Sequence, residues 1–453
     1  VTVLSRTTAT DVKLTQEDLS RSKDRLRVLD ARQRHRAPML LWLLTGPGVL
    51  AMLGENDGPS MLSYAATGAT YGIGFFLPFI AVTFLAAYVV QEMAMRLGAV
   101  THRGYGELIF QRFGPFWGWL SVGDLVVTNL ITLITEIIAI RVGMAYFGVP
   151  PILSIAFAVL LVVLSTSGGR YWRWERFAMG LVLFNLLFVV VAFLAHPSPT
   201  AIAEAMATWT PLPHGTAQAF LLILASNIGA TVTPWMLFFQ QSASVDKGLT
   251  PRDIGQGRLD TLIGTILAAL AGCAAVVAAS VLFTHHVDTS SLQGGTGYAE
   301  ALRPLIGAPG AALFALGLVE AGAVAMLTIS ASTAYAVGEV IGGAGHSFNR
   351  SIRTAPAFYA ANLGMALAAG AIVLIPGVPL LAIALNANLL ATVLMPPALI
   401  FLLMMANDRD LMGTRLNGRA TNALGILITV VVTLAGAGYA VVAFANSFGG
   451  RDG

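Results

Sequence analysis

An all-helical protein that crosses a membrane many times is the fold class this sequence predicts, and three observations carry the prediction. Hydrophobic residues make up 56% of the 453 and charged ones only 11%, with a mean hydropathy of +0.75, outside the soluble globular range. The cations are segregated along the chain rather than scattered. Two long apolar runs are interrupted by polar residues, glycine and proline where a span should be in mid-course.

The first 37 residues are polar and hold nine of the 26 Lys and Arg. They read as a basic cytosolic tail rather than a cleavable signal peptide, with disorder through Lys13 and a surface amphipathic helix near Asp18–Arg34. Runs long enough to cross a bilayer then lie at roughly 38–70, 73–97, 116–146, 151–169, 177–196, 216–244, 257–284, 309–342, 355–375, 378–405 and 420–447. The loops after the even-numbered spans carry fourteen cations, which with the tail's nine make 23 of 26; only Arg141, Arg303 and Arg451 lie elsewhere. By the positive-inside rule this predicts eleven spans in the plasma membrane, N-terminus cytoplasmic and C-terminus outside.

Span 1 is interrupted at Gly54-Glu55-Asn56-Asp57-Gly58-Pro59-Ser60 and span 6 at Gly229-Ala230-Thr231-Val232-Thr233-Pro234. Proline removes a backbone N–H and turns the residue before it away from the helical region, so both helices should break there. Broken backbone at membrane depth is tolerated where it lines a protein-enclosed cavity. The breaks fall at corresponding places in two halves of five spans, which is the pointer to an inverted repeat of LeuT-like architecture, with the eleventh helix added. The expected division is a tail over 1–37, one transmembrane domain over 38–447 (repeats about 38–196 and 216–405, last span about 420–447) and an external end at 448–453.

Several of these residues also resemble a known family. Gly46-Pro47-Gly48 leading into the first break resembles the first span of the NRAMP divalent-metal transporters, whose motif there reads Asp-Pro-Gly-Asn. Arg96-Leu97-Gly98-Ala99-Val100-Thr101 is similar to that family's second-span exit, Gly229 to Trp235 to its sixth-span Ala-Thr-Val-Met-Pro-His, and Asn407 to Gly413 to its tenth-span exit. The resemblance implies that Asp57 ligates a metal ion, with Ser60 at the family's Asn and Asn388 at its tenth-span Gln. It also shows departures: the metal-binding Met is Thr233, the nearby His is Trp235 and a second His is Gln240. Asp124 and Glu136 lie near the family's two acidic positions in span 3, out of register. Loss of the Met and the His is similar to the NRAMP-related magnesium transporters, a branch whose resemblance implies uptake without obligatory proton coupling.

The chemistry of the residues leans the same way. A thioether favours transition metals, whereas carboxylate, hydroxyl, carboxamide and carbonyl oxygens suit Mg²⁺ and Mn²⁺. Asp57, Ser60, the carbonyl of Ala230, Thr233 and Asn388 are all oxygen ligands, and smaller side chains leave room for the waters Mg²⁺ retains. Glu55, Asn56, Trp235 and Gln240 are placed just behind these ligands or in the vestibule leading to them. Taken singly, Ser60 and Thr233 are ordinary helix-packing hydroxyls, and only their position in the breaks raises them. Glu136 and Arg141 read as mutually neutralising structural groups, and Glu92 with Arg96 as an i,i+4 pair.

Transport of Mg²⁺, with Mn²⁺ also accepted, is therefore the expected function. The alternatives are a sodium-coupled amino-acid transporter of LeuT-like fold, against which the charge of Asp57 argues, and a proton-coupled transition-metal transporter. A cation-sensing receptor ranks below these, as no folded signalling domain is legible. No nucleophile–base pair or nucleotide motif points to an enzyme. No cofactor is expected, the cation being substrate; the partners are the ion and the bilayer, without nucleic acid, and a monomer is the default.

Overall fold

Proline is tolerated in the first helical turn, where its missing N–H has no intrahelical partner, and this chain starts helix after helix with it. The computed structural model describes residues 26–166, 170–288, 295–341, 347–378 and 380–449; the expectations for residues 1–25 and 450–453 lie outside these. Residues 26–33 form α1. Span 1 comprises α2 (Ala37–Leu44), α3 (Pro47–Gly54) and α4 (Gly58–Tyr71), followed by α5 (Phe76–Thr101), α6 (Tyr105–Phe113), α7 (Pro115–Ala145) and α8 (Pro151–Thr166). Span 5 is α9 (Tyr171–Val182), a 3₁₀ turn at Leu183–Leu186 and α10 (Leu187–Leu194); α11 (Pro199–Thr208) connects it to span 6, made of α12 (Ala217–Gly229) and α13 (Pro234–Lys247). Then come α14 (Ile254–Thr284), α15 (Gly295–Ile341), α16 (Pro356–Leu374), α17 (Leu380–Ala406), the short α18 (Arg409–Met412) and α19 (Arg419–Gly449).

Among the described residues nine helices are long and apolar enough to cross a membrane, ten if α2 and α3, bent by 50°, count as one span. The place assigned to span 4 holds α8, an apolar helix of 16 residues, so helices occupy all eleven expected places. Three features differ from the expectation. A further bend at Gly46 divides span 1, because a Cβ there would stand 2.1 Å from Glu175 Oε1 and its φ of 156° favours glycine. Span 8 begins earlier, as α15 runs on either side of a kink at Gly307 (φ 78°). The visible part of the tail helix rests on protein: Ala31 is buried and Arg32 pairs with Asp253.

Neutral packing and buried polar ties hold spans 1 and 6 in the centre. All of α3 is buried, and so is nearly all of α13. Helix α14 packs along α3, α4 and α5, while α15 packs along α7. The carboxylate of Asp260 on α14 accepts from the N–H groups of Gly46 (3.0 Å) and Gly48 (2.7 Å), satisfying the orphan donors that start α3. Next to it a buried ion pair joins Lys247, at the end of α13, to Glu175 on α9. The expected Glu92–Arg96 pair is present at 3.0 Å and is extended by Arg258 at 2.8 Å. By contrast α19 exposes Leu424, Ile426, Leu427 and Leu434, a face suited to lipid.

Candidate ion site

The first break is three residues long. Helix α3 ends at Gly54 and α4 starts at Gly58, leaving Glu55, Asn56 and Asp57 between two half-helices. Asp57 has extended backbone and caps α4, its Oδ1 accepting from the Ser60 N–H at 2.9 Å. Caps of this kind contribute about 1 kcal/mol. Glu136 reaches in from α7 and accepts from the Gly58 N–H at 2.9 Å, with its carboxyl facing that of Asp57. The approach is close because residue 58 has no side chain: a Cβ there would stand 2.2 Å from the Cβ of Ala139.

Asn56 points the other way. Its amide donates to Asn185 Oδ1 and to the Ala268 carbonyl, both at 2.9 Å. Asn185 lies in the 3₁₀ turn of span 5 and donates on to Glu320 Oε2 at 3.3 Å. A polar branch thus leads from the first break to α15.

The second break, Ala230 to Thr233, meets the first directly. The Thr233 hydroxyl donates to Glu55 Oε2 at 2.7 Å. Tyr64, on α4, donates to the Ala230 carbonyl at 2.7 Å, so the carbonyl expected to be free has one lone pair occupied. Thr231 donates to the Asn227 carbonyl at 2.9 Å. Helix α17 closes on the same spot, since a Cβ on Gly229 would stand 1.9 Å from the Asn388 carbonyl oxygen. Gln240 lies further along α13, its amide 3.5 Å from the Thr261 hydroxyl.

These groups are closed off from solvent: Glu55, Asn56, Ser60 and Ala230 are 0% exposed and Asp57 1%. Glu55 Oε1, Ser60 Oγ, Glu136 Oε1 and Gln240 Oε1 have no hydrogen-bond partner among the described residues. The Trp235 indole lies beside Glu55 without hydrogen-bond geometry. Buried oxygen atoms left unpaired are costly and call for an occupant. Facing carboxyls without a cation require either a proton or a metal ion between them.

The structure therefore brings together Glu55, Asp57, Ser60, Ala230 and Thr233, and sets Asn388 against the second break. It also adds three residues the sequence reading did not place here: Glu136, Asn185 and Tyr64. For Glu136 a signal was present. Arg141 is five residues on, about 140° around a helix of 3.6 residues per turn, so the two do not share a face. Among the described residues they form no ion pair, and Glu136 is fully buried against span 1.

Comparison with known proteins agrees with this geometry. The family model described as "Natural resistance-associated macrophage protein-like" (Nramp) matches residues 48–441. The divalent metal cation transporter MntH of Ralstonia nicotianae is 27% identical over 411 residues, covering 86% of this chain and 88% of the relative. That of Erwinia tasmaniensis is 28% identical over 418 residues, covering 89% and 94%. Among solved structures, a manganese transporter of Eremococcus coleocola superposes with a TM-score of 0.76 at 19% identity, covering 91% of this chain and 89% of that one. A Na⁺-coupled sialic acid symporter superposes with a TM-score of 0.52 at 13% identity, covering 86% and 89%, a likeness of fold alone. With two half-broken spans meeting at its centre in a LeuT-like frame, and with the family model matched from the first break to the last span, the chain belongs to the Nramp family.

Proposed function

We propose that this protein carries divalent metal cations across the membrane, Mg²⁺ in the first place with Mn²⁺ also accepted, driven by the ion gradient and membrane potential without obligatory proton coupling. The observation that carries this reading is the oxygen-rich lining of the two meeting breaks: Asp57, Glu55 and Glu136 supply carboxyls, Ser60 and Thr233 hydroxyls, and Ala230 a carbonyl with one lone pair left, none of them sulfur or imidazole. Such a lining suits hard cations. The relatives named for divalent metal cation and manganese transport support the coarser reading. A potential of 100 mV supplies about 2.3 kcal/mol per charge, about twice that for a divalent ion, which suffices to concentrate it. The reading includes an N-terminus on the cytosolic side of the plasma membrane, supported by the grouping of 23 of 26 cations in the tail and the loops after the even-numbered spans. The tail, the two repeats and the last span then divide as the sequence suggests.

One observation favours a second reading. Glu136 beside Asp57 offers a site for a proton, as proton-coupled transport of a transition metal would need. Proteoliposomes loaded with a pH-sensitive dye separate the two. Uptake of Mg²⁺ and Mn²⁺ with no lumenal acidification is expected; acidification in proportion to flux would overturn the uncoupled reading. Thr233→Met should shift preference toward softer metals, and unchanged selectivity would mean that residue 233 does not face the ion.

A further inference from the structure

Glu320 stands on α15 where that helix meets span 5 through apolar groups. One turn earlier, a Cβ on Gly317 would lie 2.7 Å from the Phe188 ring, and the rings of Phe188 and Phe314 meet edge to face at 5.5 Å. A contact of this kind between α10 and α15 needs no carboxyl, and acids are costly at membrane depth unless they have a task. Glu320 is 7% exposed; its Oε1 has no hydrogen-bond partner among the described residues, and its Oε2 accepts from Asn185 at 3.3 Å. Asn185 in turn grips Asn56 at two points. Its Oδ1 accepts from the Asn56 amide at 2.9 Å, and its Nδ2 donates to the Asn56 main-chain carbonyl at 3.4 Å. The 3₁₀ turn at Leu183–Leu186, between α9 and α10, holds Asn185 there, fully buried.

We propose that Glu320, acting through Asn185, is a positioning residue that makes the first break discriminate between divalent ions by size. This rests on the transport reading above. Turned by half, the Asn185 carboxamide would set donor against donor at Asn56; the acceptor atoms of Glu320 hold its Nδ2 on their side and so keep the grip in register. Asn56 lies between Glu55 and Asp57, so gripping its side chain and its carbonyl fixes the backbone that carries both carboxyls. Mg²⁺ demands a near-octahedral shell at about 2.0–2.1 Å, whereas Ca²⁺ takes irregular shells of about six to eight oxygens at about 2.3–2.6 Å. A rigid break therefore favours the smaller ion, and a slack one admits Ca²⁺.

The test is uptake of Mg²⁺, Mn²⁺ and Ca²⁺ by the full-length chain in proteoliposomes, with rates referred to folded protein. Glu320→Met, close in length and apolar, deletes the acceptor. KM for Mg²⁺ and Mn²⁺ should then rise about tenfold, as when a metal ligand loses its support, with the maximal rate kept within about twofold. Entry of Ca²⁺ should rise relative to both. Glu320→Gln, which keeps an oxygen for Asn185, should restore KM and selectivity. Asn185→Ala should reproduce Glu320→Met, and combining the two should change nothing further. An equal loss for all three ions would reduce Glu320 to packing and overturn the proposal. So would failure of Glu320→Gln to rescue, which would assign the effect to charge, or additive effects of the pair, which would sever the route through Asn185. Wild type that carries neither Mg²⁺ nor Mn²⁺ would overturn the transport reading itself, and this inference with it.

Discussion

The two breaks occupy equivalent places in the two repeats but do different work. The first carries the charge: Glu55 and Asp57 lie in it, Glu136 faces it, and Asn56 links it through Asn185 to Glu320. The second carries no ionisable group; its Thr233 reaches across to Glu55, and its Ala230 and Thr231 are tied to Tyr64 and Asn227. Asp57 caps its own half-helix, whereas Thr233 heads α13 without a side-chain cap. The difference teaches that symmetry of fold does not extend to side-chain chemistry: one half supplies the carboxyls, the other the hydroxyl and carbonyl that brace them, and on the proposed reading the first would draw the cation and the second shape its place.

Asp57→Asn should break this comparison most severely. Asparagine still caps α4, so thermal stability should hold, while transport should fall about a hundredfold, equivalent to about 2.7 kcal/mol. Cation flux into proteoliposomes beside a melting curve checks both. A variant that transports normally would remove the first break from the ion's path.

Glu136→Gln comes next. Glutamine can still accept from the Gly58 N–H, so the fold should persist, and KM for the cation should rise about tenfold as a facing charge is lost. Glu136→Ala, which strands that N–H, should also destabilise the protein by about 1–3 kcal/mol. If KM is unmoved in Glu136→Gln, the carboxyl serves only to cap the half-helix. Thr233→Val tests the other side: it keeps the shape and deletes the 2.7 Å bond to Glu55. A severalfold rise in KM, smaller than for the carboxyl changes, is expected, equivalent to about 1 kcal/mol, the worth of an ordinary hydrogen bond.

Both breaks were legible in the sequence because their signals are local: proline, glycine and polar residues inside an apolar run leave few other readings. The spans were legible for the same reason, as hydropathy needs no tertiary information. What was not legible depends on register between helices. Glu136 touches the first break only because Gly58 lets α7 approach α4, and Tyr64 reaches Ala230 only because α4 and α12 lie side by side, also tied by Ser63–Ser226 at 2.9 Å and Asn227–Thr67 at 2.9 Å. The bend at Gly46 was hidden because it answers to Glu175, 129 residues away, rather than to its neighbours.

Tyr64→Phe should give the smallest effect and is the sharpest probe of the asymmetry. The hydroxyl crosses from the charged half to the neutral one and occupies a lone pair of the Ala230 carbonyl. Removing it should lower stability by about 1 kcal/mol, the worth of an ordinary hydrogen bond, because Thr231 keeps its bonds to Asn227 and Thr83. If the second break only braces, KM should stay within about twofold of wild type, since a change under about 0.4 kcal/mol is all that remains. A tighter KM would mean that Tyr64 holds back a carbonyl that the ion itself seeks, making Ala230 a ligand and the second break a full partner. Combining Tyr64→Phe with Asp57→Asn separates these outcomes: effects that add place the two groups in independent roles, and coupling beyond about 0.5 kcal/mol places both on the same ion.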